Sequence, residues 1–150
     1  MREILFRGKA ANREDYRVYR TTYKNGDWVY GLLTDKENYL GFAEMTNEAG
    51  VQCIEVNKDT IGQYTGLTDK NGKKIFEGDI VDCWSEGVNA QGTVQQRRDG
   101  LWIIYPAWQK HIMWGLCPDE YSHTTVEVIG NIYDNPELIN SHNQIAKEQE

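Results

Sequence analysis

Acidic and amide side chains are concentrated in one stretch of the sequence, YTGLTDKNGKKIFEGDIV, at residues 64–81. Asp69 and Asn71 stand just before a glycine, and two more acids, Glu77 and Asp79, follow. Closely spaced oxygen ligands are typical of calcium loops, and glycine beside lysine is typical of phosphate loops. The stretch therefore suggests an ion loop or a phosphate loop, beside a purely structural interpretation as two tight turns between strands.

The spacing within this stretch argues against both chemical interpretations. An EF-hand loop needs a glycine five residues after its first aspartate, and Lys74 stands at that position. The segment NGKKIFEGD lacks the order GxxxxGK[ST] and leads into a strand instead of a helix. We therefore expect structural turns, because glycine and asparagine tolerate positive φ. The predicted turn residues are Gly66, Asn71, Gly72, Gly78 and Asp79. The predicted core residues are Phe76, Ile80, Val81, Val128 and Ile132.

Three soft metal ligands, His111, Cys117 and His123, recur at intervals of six residues. Zinc sites normally contain close pairs such as CxxC or HxxxH, and the sequence has none. Cys83 lies in an alternating strand-like segment and is predicted to be a small buried residue. A pairing of Cys83 with one of the histidines is the remaining catalytic alternative. The sequence predicts no catalytic residues, no metal site, no cofactor and no enzymatic activity.

Arg97 and Arg98 stand beside the aromatic segment LWIIYPAW, in a predicted hairpin with Asp99 and Gly100 at its tip. Arginine beside aromatic residues on a small β-domain is the composition of a single-strand nucleic-acid surface. In the structural alternative, Trp102 and Ile104 face the core while Ile103 and Tyr105 cover the other side. Arg97 and Arg98 then point to opposite faces, because side chains alternate along a strand.

The charge of the chain is uneven along its length. The 150 residues carry a net charge of −7, which disfavours a plain nucleic-acid binder. Residues 1–24 nevertheless hold seven basic and three acidic side chains. Arg13, Arg17 and Arg20 lie among tyrosines in this segment. They are candidate partner-binding residues, or else the solvated face that balances acidic neighbours.

Aromatic residues are abundant, with five Trp and nine Tyr. A core of this size is not expected to hide them all, and Trp and Tyr are common interface anchors. Trp108 and Trp114 join Arg97 and Arg98 as candidate partner-binding residues, and a homo-oligomer is predicted. Three distant cysteines indicate reduced thiols, and neither a membrane span nor a signal peptide is recognisable. These features predict a protein of the cytoplasm without a membrane partner.

Short strands separated by turns every eight to twelve residues predict a mainly β fold. The C-terminal two-thirds are expected to form a small SH3-like barrel or a curled antiparallel sheet, preceded by a smaller β-rich part. A short C-terminal helix should begin at Pro136, with Asn135 as its cap. The predicted domains are an N-terminal subdomain at residues 1–62, a barrel-like core at 63–140 and a polar tail at 141–150.

Four blocks of the sequence resemble the YopX family of bacteriophage and prophage proteins. The blocks are REILFRGK, GDWVYGLL, TIGQYTGLTDKNGKKIFEGDIV and VEVIGNIYDNPEL, in the family's order across residues 2–138. The resemblance implies a phage or prophage origin, a mostly β fold and expression in a bacterial cytoplasm. It implies no activity and no site residues. Residues 9–24 and 102–121 are the regions that look individual to this chain.

Two functions from different classes remain open at this point. The first is a protein-interaction module that acts on an unidentified phage or host protein, which the net charge favours. The alternative is a weak nucleic-acid-binding accessory protein in phage DNA or RNA metabolism, which the basic N-terminal segment and the Arg97–Arg98 pair favour. The sequence names neither the partner nor the stage of infection.

Overall fold

The fold is mainly β, as predicted, with antiparallel sheets and a short C-terminal helix. The computed structural model describes residues 3–18, 21–47, 50–85, 88–105 and 114–139. The chain divides into two compact units, Met1–Tyr64 and Thr65–Glu150. The described part of the chain contains no helix that could span a membrane.

The first unit is organised around a ring of paired strands. The strands that begin in it are β1 (Phe6–Ala10), β2 (Tyr16–Val18), β3 (Thr21–Tyr23), β4 (Trp28–Leu33), β5 (Tyr39–Asn47) and β6 (Gly50–Thr68). Strand β1 pairs antiparallel with both β4 and β6, so the order β1–β4–β5–β6 closes on itself. Strands β2 and β3 form a separate two-stranded hairpin.

The ring encloses a small apolar core because side chains alternate between its two faces. The buried members of this core are Ala10, Val29, Leu40, Ile54 and Val56. Between two of them, Glu55 is exposed, and Tyr30 beside Val29 is 46% exposed. The strand pattern of the sequence therefore corresponds to an inward apolar face and an outward polar face.

Strand β6 is longer than the sequence suggests, because residues 51–57 and 63–67, each strand-like in composition, belong to one strand. A β-bulge joins them: Arg7 pairs with Gly62, whereas Lys9 pairs with Asn57. The Thr60 hydroxyl accepts a hydrogen bond from the Lys9 amide at 2.8 Å, and it donates to the Asn57 carbonyl at 2.6 Å. A side chain thus satisfies the backbone where the ladder is interrupted, and the strand continues.

The second unit contains an open five-stranded sheet. Its strands are β8 (Asp79–Ser85), β9 (Val88–Gln96), β10 (Trp102–Tyr105), β11 (Trp114–Gly115) and β12 (Glu127–Asn131). Their spatial order is β11–β10–β9–β8–β12. Strand β6 runs into this unit, where β7 (Lys74–Phe76) pairs with it. One face carries a core cluster of Ile75, Val81, Cys83, Ala90, Val94, Trp102, Ile104, Leu116 and Val126.

The chain crosses this sheet between its two edge strands. Strands β11 and β12 lie at opposite edges, so residues 116–126 run from one edge to the other. Leu116 and Val126, at the two ends of this crossing segment, are both buried in the core cluster. The crossing segment is therefore anchored at both ends by apolar burial.

The helix α1 covers residues 136–139, and it begins at Pro136 as predicted. Asn135, just before it, accepts a hydrogen bond from the Asn131 amide through Oδ1 at 3.3 Å. A Cβ atom at Gly130 would stand 2.5 Å from the same oxygen. Position 130 therefore requires glycine because the Asn135 side chain occupies the adjacent space.

The predicted turns are mostly confirmed. Asn71, Gly72 and Gly78 lie in turns. Asp79 is instead the first residue of β8, and its carboxylate accepts a hydrogen bond from the Phe76 amide across the turn at 2.8 Å. The prediction for Gly66 was wrong, since it lies inside β6. Its φ of +84° is a local distortion that glycine tolerates within a strand.

The predicted core is confirmed in its centre. Phe76, Ile80 and Val81 are buried, whereas Val128 and Ile132 are half-buried. These two residues lie on or next to β12, at the edge of the sheet, where only one side has a neighbouring strand. The hairpin β2–β3 was not predicted, because its polar and basic composition concealed its alternating tyrosine, valine and threonine.

Candidate functional site

A groove lined by two tryptophans is the most distinctive surface of the second unit. We call it the aromatic groove; its volume is about 420 Å³. The described residues that line it are Cys83, Trp84, Ile104, Trp114, Gly115, Cys117, Thr124, Thr125 and Val126. They come from β8, β10, β11 and the crossing segment, so the groove depends on the sheet and on the chain that covers it.

Trp84 is the most exposed of the residues lining the groove whose exposure is quantified. It is 68% exposed, although its neighbour Cys83 is buried in the core. Strand alternation explains the difference, since Val81 and Cys83 face the core whereas Asp82 and Trp84 face away from it. Trp114 is half-buried and packs against the core cluster. One tryptophan is thus fixed by packing, and the other is presented to solvent.

The described lining of the aromatic groove carries no charge. None of the nine described residues that line it is acidic or basic, although the chain contains 16 basic and 23 acidic residues. The sequence neighbours of the lining are acidic: Asp82 precedes Cys83, Glu127 follows Val126, and Asp119 and Glu120 lie in the crossing segment. The described part of the groove is therefore neutral and aromatic, within an acidic surrounding sequence.

A loop at Asp119 shapes the crossing segment. The Asp119 Oδ1 atom accepts hydrogen bonds from the amides of Tyr121 at 2.8 Å and His123 at 3.0 Å. These two bonds lower the pKa of the Asp119 carboxyl below its usual value, because they stabilise the charged form. Ser122 takes a φ of +66° to close the loop. Side-chain capping by an aspartate thus sets the path of the chain that leads into Thr124 and Thr125.

The loop at Asp69 repeats the same geometry in a buried setting. Its Oδ1 atom accepts hydrogen bonds from the amides of Asn71 at 2.9 Å and Lys73 at 2.8 Å. Gly72 provides the positive φ that Ser122 provides in the other loop. Asp69 differs in being 2% exposed, and its Oδ2 atom accepts a third hydrogen bond, from the Val128 amide at 3.1 Å. A single carboxylate therefore links the hairpin loop to edge strand β12.

Backbone hydrogen bonds join the two loops to each other. The Thr68 amide donates to the Ser122 carbonyl at 3.0 Å, and the Thr124 amide donates to the Thr68 carbonyl at 2.8 Å. The Thr68 hydroxyl and His123 Nδ1 are hydrogen-bonded at 2.8 Å. The Lys70 amide donates to the Val126 carbonyl at 2.8 Å. The wall of the aromatic groove is thus attached to the Asp69 loop at several points.

This geometry accounts for the acidic stretch at residues 64–81. The carboxylate oxygens of Asp69 are directed at backbone amides, and Lys70 forms an ion pair with Glu127 at 3.1 Å. Among the described residues, no group of three or more His, Cys, Asp or Glu is arranged to hold a metal ion. His111 lies outside the described residues. The carboxylates of Asp69 and Asp79 accept hydrogen bonds from backbone amides. This arrangement agrees with the structural interpretation of the stretch.

The two cysteines of the aromatic groove differ in chemistry. Cys83 is 6% exposed, and its thiol donates a hydrogen bond to the Ala90 carbonyl at 3.3 Å. Burial, followed by the nearby charge of Asp82, raises the pKa of the Cys83 thiol to about 11. Cys117 is exposed. A nucleophilic Cys83 is therefore disfavoured at neutral pH, because the reactive thiolate is scarce there.

The structure does not bring the predicted partner-binding residues into one site. Trp114 lines the aromatic groove, whereas Trp108 and Arg20 lie outside the described residues. Arg97 and Arg98 lie in the turn after β9, which ends at Gln96. The expectation that they alternate along a strand was therefore wrong. The Gly100 amide donates to the Arg97 carbonyl at 2.9 Å, which closes a tight turn.

The predicted orientation of the side chains on β10, the strand after this turn, is partly wrong. Trp102 and Ile104 belong to the core cluster, as expected, and Tyr105 is half-buried. Ile103 points to the opposite face but is also buried, at 6% exposure. An aromatic stacking surface beside the arginines is therefore not formed by this strand. Arg97 instead pairs with Asp99 at 3.1 Å.

The basic N-terminal residues lie on the first unit. Arg13 lines a groove of about 510 Å³ together with Tyr16, Tyr39 and three carboxylates, those of Glu14, Asp15 and Glu55. Arg17 lies on β2, opposite Thr22 of β3, and is exposed. The surroundings of Arg13 are therefore acidic, whereas the hairpin that carries Arg17 is basic.

Sequence reasoning missed Trp84 as a candidate, although a signal was present. Asp82 and Trp84 share one face of a predicted strand, and Val81 and Cys83 share the other. Because a charged side chain is rarely buried, this alternation indicated the exposed face. No such signal indicated that Cys117, Thr124 and Thr125 line the groove, because their position depends on the path of the crossing segment.

The model of the family described as YopX protein matches residues 15–140, which is most of the sequence. A search of curated proteins found no match.

Replacing the two loop aspartates should have unequal effects. Asp69→Ala leaves three backbone amides without their acceptor, and we expect it to reduce the free energy of unfolding by about 3 kcal/mol. Asp119→Ala removes two equivalent amide hydrogen bonds from an exposed loop. It should lower the free energy of unfolding by clearly less than Asp69→Ala. Urea denaturation of both variants tests this expectation, and equal losses would contradict the role assigned to Asp69.

The thiols should react in a fixed order. We expect Cys117 to react with a maleimide much faster than Cys83, because Cys83 is buried and mostly protonated. The measurement is mass spectrometry of the labelled peptides in a Cys53→Ser background. Cys117→Ser should remove the fast phase, and preferential labelling of Cys83 in the native protein would contradict the assignment.

Proposed function

We propose that this chain, which belongs to the YopX family, is a protein-interaction module whose aromatic groove binds a phage or host protein in the bacterial cytoplasm. The observation that carries the proposal is Trp84, which is 68% exposed and belongs to the described lining of the aromatic groove. The role is one of binding without catalysis. It is an accessory role in the sense that the partner supplies the activity.

Energetics support Trp84 as the centre of the interaction. An indole side chain buries about 150–250 Å² when fully covered. At about 25 cal/mol per Å² of apolar surface, covering the two-thirds of Trp84 that is exposed contributes roughly 3 kcal/mol. Contributions of this size are typical of the few anchor residues that dominate an interface. Among the described lining residues, no acidic or basic side chain has to be desolvated.

Self-association is part of the same proposal. Several large hydrophobic residues are exposed on the described surface: Tyr16, Tyr30, Leu33, Trp84, Leu101 and Tyr121. Strand β11 is an edge strand of only two residues. Formation of a homo-oligomer would cover an unpaired sheet edge and exposed aromatic side chains of this kind.

Nucleic-acid binding is the second candidate, and one observation favours it. The hairpin β2–β3 and the residue after it contain Arg17 and Lys24, and residues 16–24 include no acidic residue. A two-stranded ribbon with a positive charge is able to follow a phosphate backbone. The net charge of −7 and the three carboxylates beside Arg13 weigh against it.

Affinity capture with a matched pair of variants tests the proposed groove. The tagged wild type, Trp84→Ala and Tyr121→Ala are used on induced or infected host cells, with and without nuclease. Tyr121 is 73% exposed but does not line the groove, so it controls for the loss of an exposed aromatic. We expect a partner protein that survives nuclease, is retained by Tyr121→Ala and is lost with Trp84→Ala.

Two outcomes of this capture experiment would contradict the groove. A partner retained equally by Trp84→Ala places the interaction elsewhere. Partners that disappear after nuclease treatment move the function to nucleic acid and make Arg17 the residue to replace.

The oligomeric state has its own measurement. Light scattering at micromolar concentration should give a molar mass above that of one 17.3 kDa chain. A mass equal to one chain over the full concentration range would refute the self-association part of the proposal, and it would leave the groove untouched.

A further inference from the structure

Strand register places five side chains together on one face of the sheet in the second unit. Trp84 of β8 lies opposite Asn89 of β9, and Asp82 lies opposite Gln91. Asp82 is also opposite Glu127 of β12, because β8 lies between β9 and β12. Directly opposed residues of antiparallel strands point to the same side of the sheet. We call these five residues the outer patch.

The core cluster shows which way the outer patch points. On β8, Val81 and Cys83 belong to the core cluster, and Asp82 lies between them. On β12, Glu127 directly follows Val126, which belongs to the same cluster. Because side chains alternate along a strand, both carboxylates are directed away from the core.

The two carboxylates of the outer patch repel each other. Directly opposed Cβ atoms on antiparallel strands are about 4.5–5.5 Å apart, and like charges in this position are destabilising. Lys70 offsets part of this repulsion, since its Nζ atom is 3.1 Å from Glu127 Oε2. Asp82 and Glu127 are both half-buried, so salt screens their interaction less than it screens fully exposed charges. A second cation that reaches Asp82 is therefore favoured.

Trp84 completes a site for a planar cation. Its side chain is 68% exposed, and it lies two residues from Asp82 on the same face, about 6.5 Å along the strand. The face of a tryptophan ring attracts a guanidinium group, which stacks on it. A stacked guanidinium keeps its N–H groups in the ring plane, where they are able to reach a neighbouring carboxylate. Trp84 also lines the aromatic groove, so the outer patch adjoins the groove at this residue.

The chemistry of the outer patch distinguishes between classes of ligand. Phosphates and acidic peptides are repelled by the Asp82–Glu127 pair. A neutral sugar is able to stack on Trp84, but it does not relieve the repulsion between the two carboxylates. Lysine supplies a charge without the planar fork that stacks and bonds at once. Arginine supplies both, and its hydrogen bonds to a carboxylate are strengthened by charge.

We infer that the partner protein binds through a basic segment, one arginine of which stacks on Trp84 and donates hydrogen bonds to the Asp82 carboxylate. The inference rests on the proposed function and adds the chemical class of the partner segment. The Asp82–Glu127 pair selects a positive charge, and Trp84 selects a planar one. The amide side chains of Asn89 and Gln91 offer donors and acceptors to the backbone beside that arginine.

Calorimetric titration with a synthetic peptide tests this inference. The probe is a blocked peptide of alternating glycine and arginine, and we expect saturable binding to the wild type. Trp84→Ala should weaken binding about thirtyfold, as for the loss of an interface anchor, and Asp82→Asn about tenfold. Glu37→Gln removes the same charge from an exposed position on the first unit and should leave binding unchanged. Equal weakening by Asp82→Asn and Glu37→Gln would overturn the assignment, because binding would then follow only the total charge.

Matched ligands test the two properties of arginine separately. Lysine in place of each arginine should weaken binding about tenfold, because the charge is kept and the planar fork is lost. Glutamine in place of each arginine should abolish binding. A lysine peptide that binds as tightly as the arginine peptide would overturn the assignment to arginine. Saturable binding of a neutral oligosaccharide or a single-stranded oligonucleotide that Trp84→Ala abolishes would overturn it as well.

Urea denaturation distinguishes a binding role of Asp82 from a structural one. Asp82→Asn keeps the size of the side chain and removes the repulsion from Glu127, so its unfolding midpoint should lie at higher urea than that of the wild type. A midpoint below that of the wild type, together with weaker peptide binding, would show that Asp82 supports the fold. That result would overturn the assignment.

Capture from host cells with Asp82→Asn separates this inference from the proposed function. We expect the partner that is lost with Trp84→Ala to be depleted with Asp82→Asn and retained by Glu37→Gln. A partner lost with Trp84→Ala but fully retained by Asp82→Asn would refute the arginine contact and leave the interaction role in place. A partner retained by both Trp84→Ala and Asp82→Asn would refute the arginine contact and the proposed groove together.

Discussion

The buried carboxylate of Asp69 is the constraint on which the second unit depends. It accepts three backbone amide hydrogen bonds, two within its own loop and one from β12. A buried carboxylate is costly unless its oxygens are satisfied, so the loop and the edge strand must adopt one arrangement around it. The adjacent Thr68 then fixes the crossing segment, and that segment forms a wall of the aromatic groove. The hydrogen bonds around Asp69 thereby help to position a wall of the aromatic groove that is formed by residues much further along the chain.

The same five-residue loop serves two purposes in this unit. At Asp69 it is buried and joins elements, and at Asp119 it is exposed and bends the crossing segment. Both loops need a residue of positive φ in the fourth position. Gly72 takes this conformation without strain, whereas Ser122 does so against its usual preference. The exposed loop is therefore held by its hydrogen bonds to Thr68 as much as by its own sequence.

Local features of this fold were predictable, and features that depend on distant contacts were not. Turn chemistry identified the loops at Asn71 and Gly78, and alternation identified the strands on either side. The continuity of β6 was missed because the Thr60 hydroxyl replaces a ladder bond to Lys9, a contact between residues far apart in sequence. The aromatic groove was missed for a similar reason, since Trp114 was the one described lining residue among the candidate partner-binding residues. The partner of Asp69 on β12 likewise carries no local signal.

The Asp69 loop and the proposed binding role therefore meet at one surface, the aromatic groove. If a partner covers this groove as proposed, it also covers Cys117, an exposed thiol within the lining. The most direct measurement is the alkylation rate of Cys117 in the captured complex, compared with the rate in the free chain. The account predicts strong protection of Cys117 in the complex, with the reactivity of Cys53 on the first unit unchanged. An unchanged Cys117 rate in a fully formed complex would show that the partner binds elsewhere.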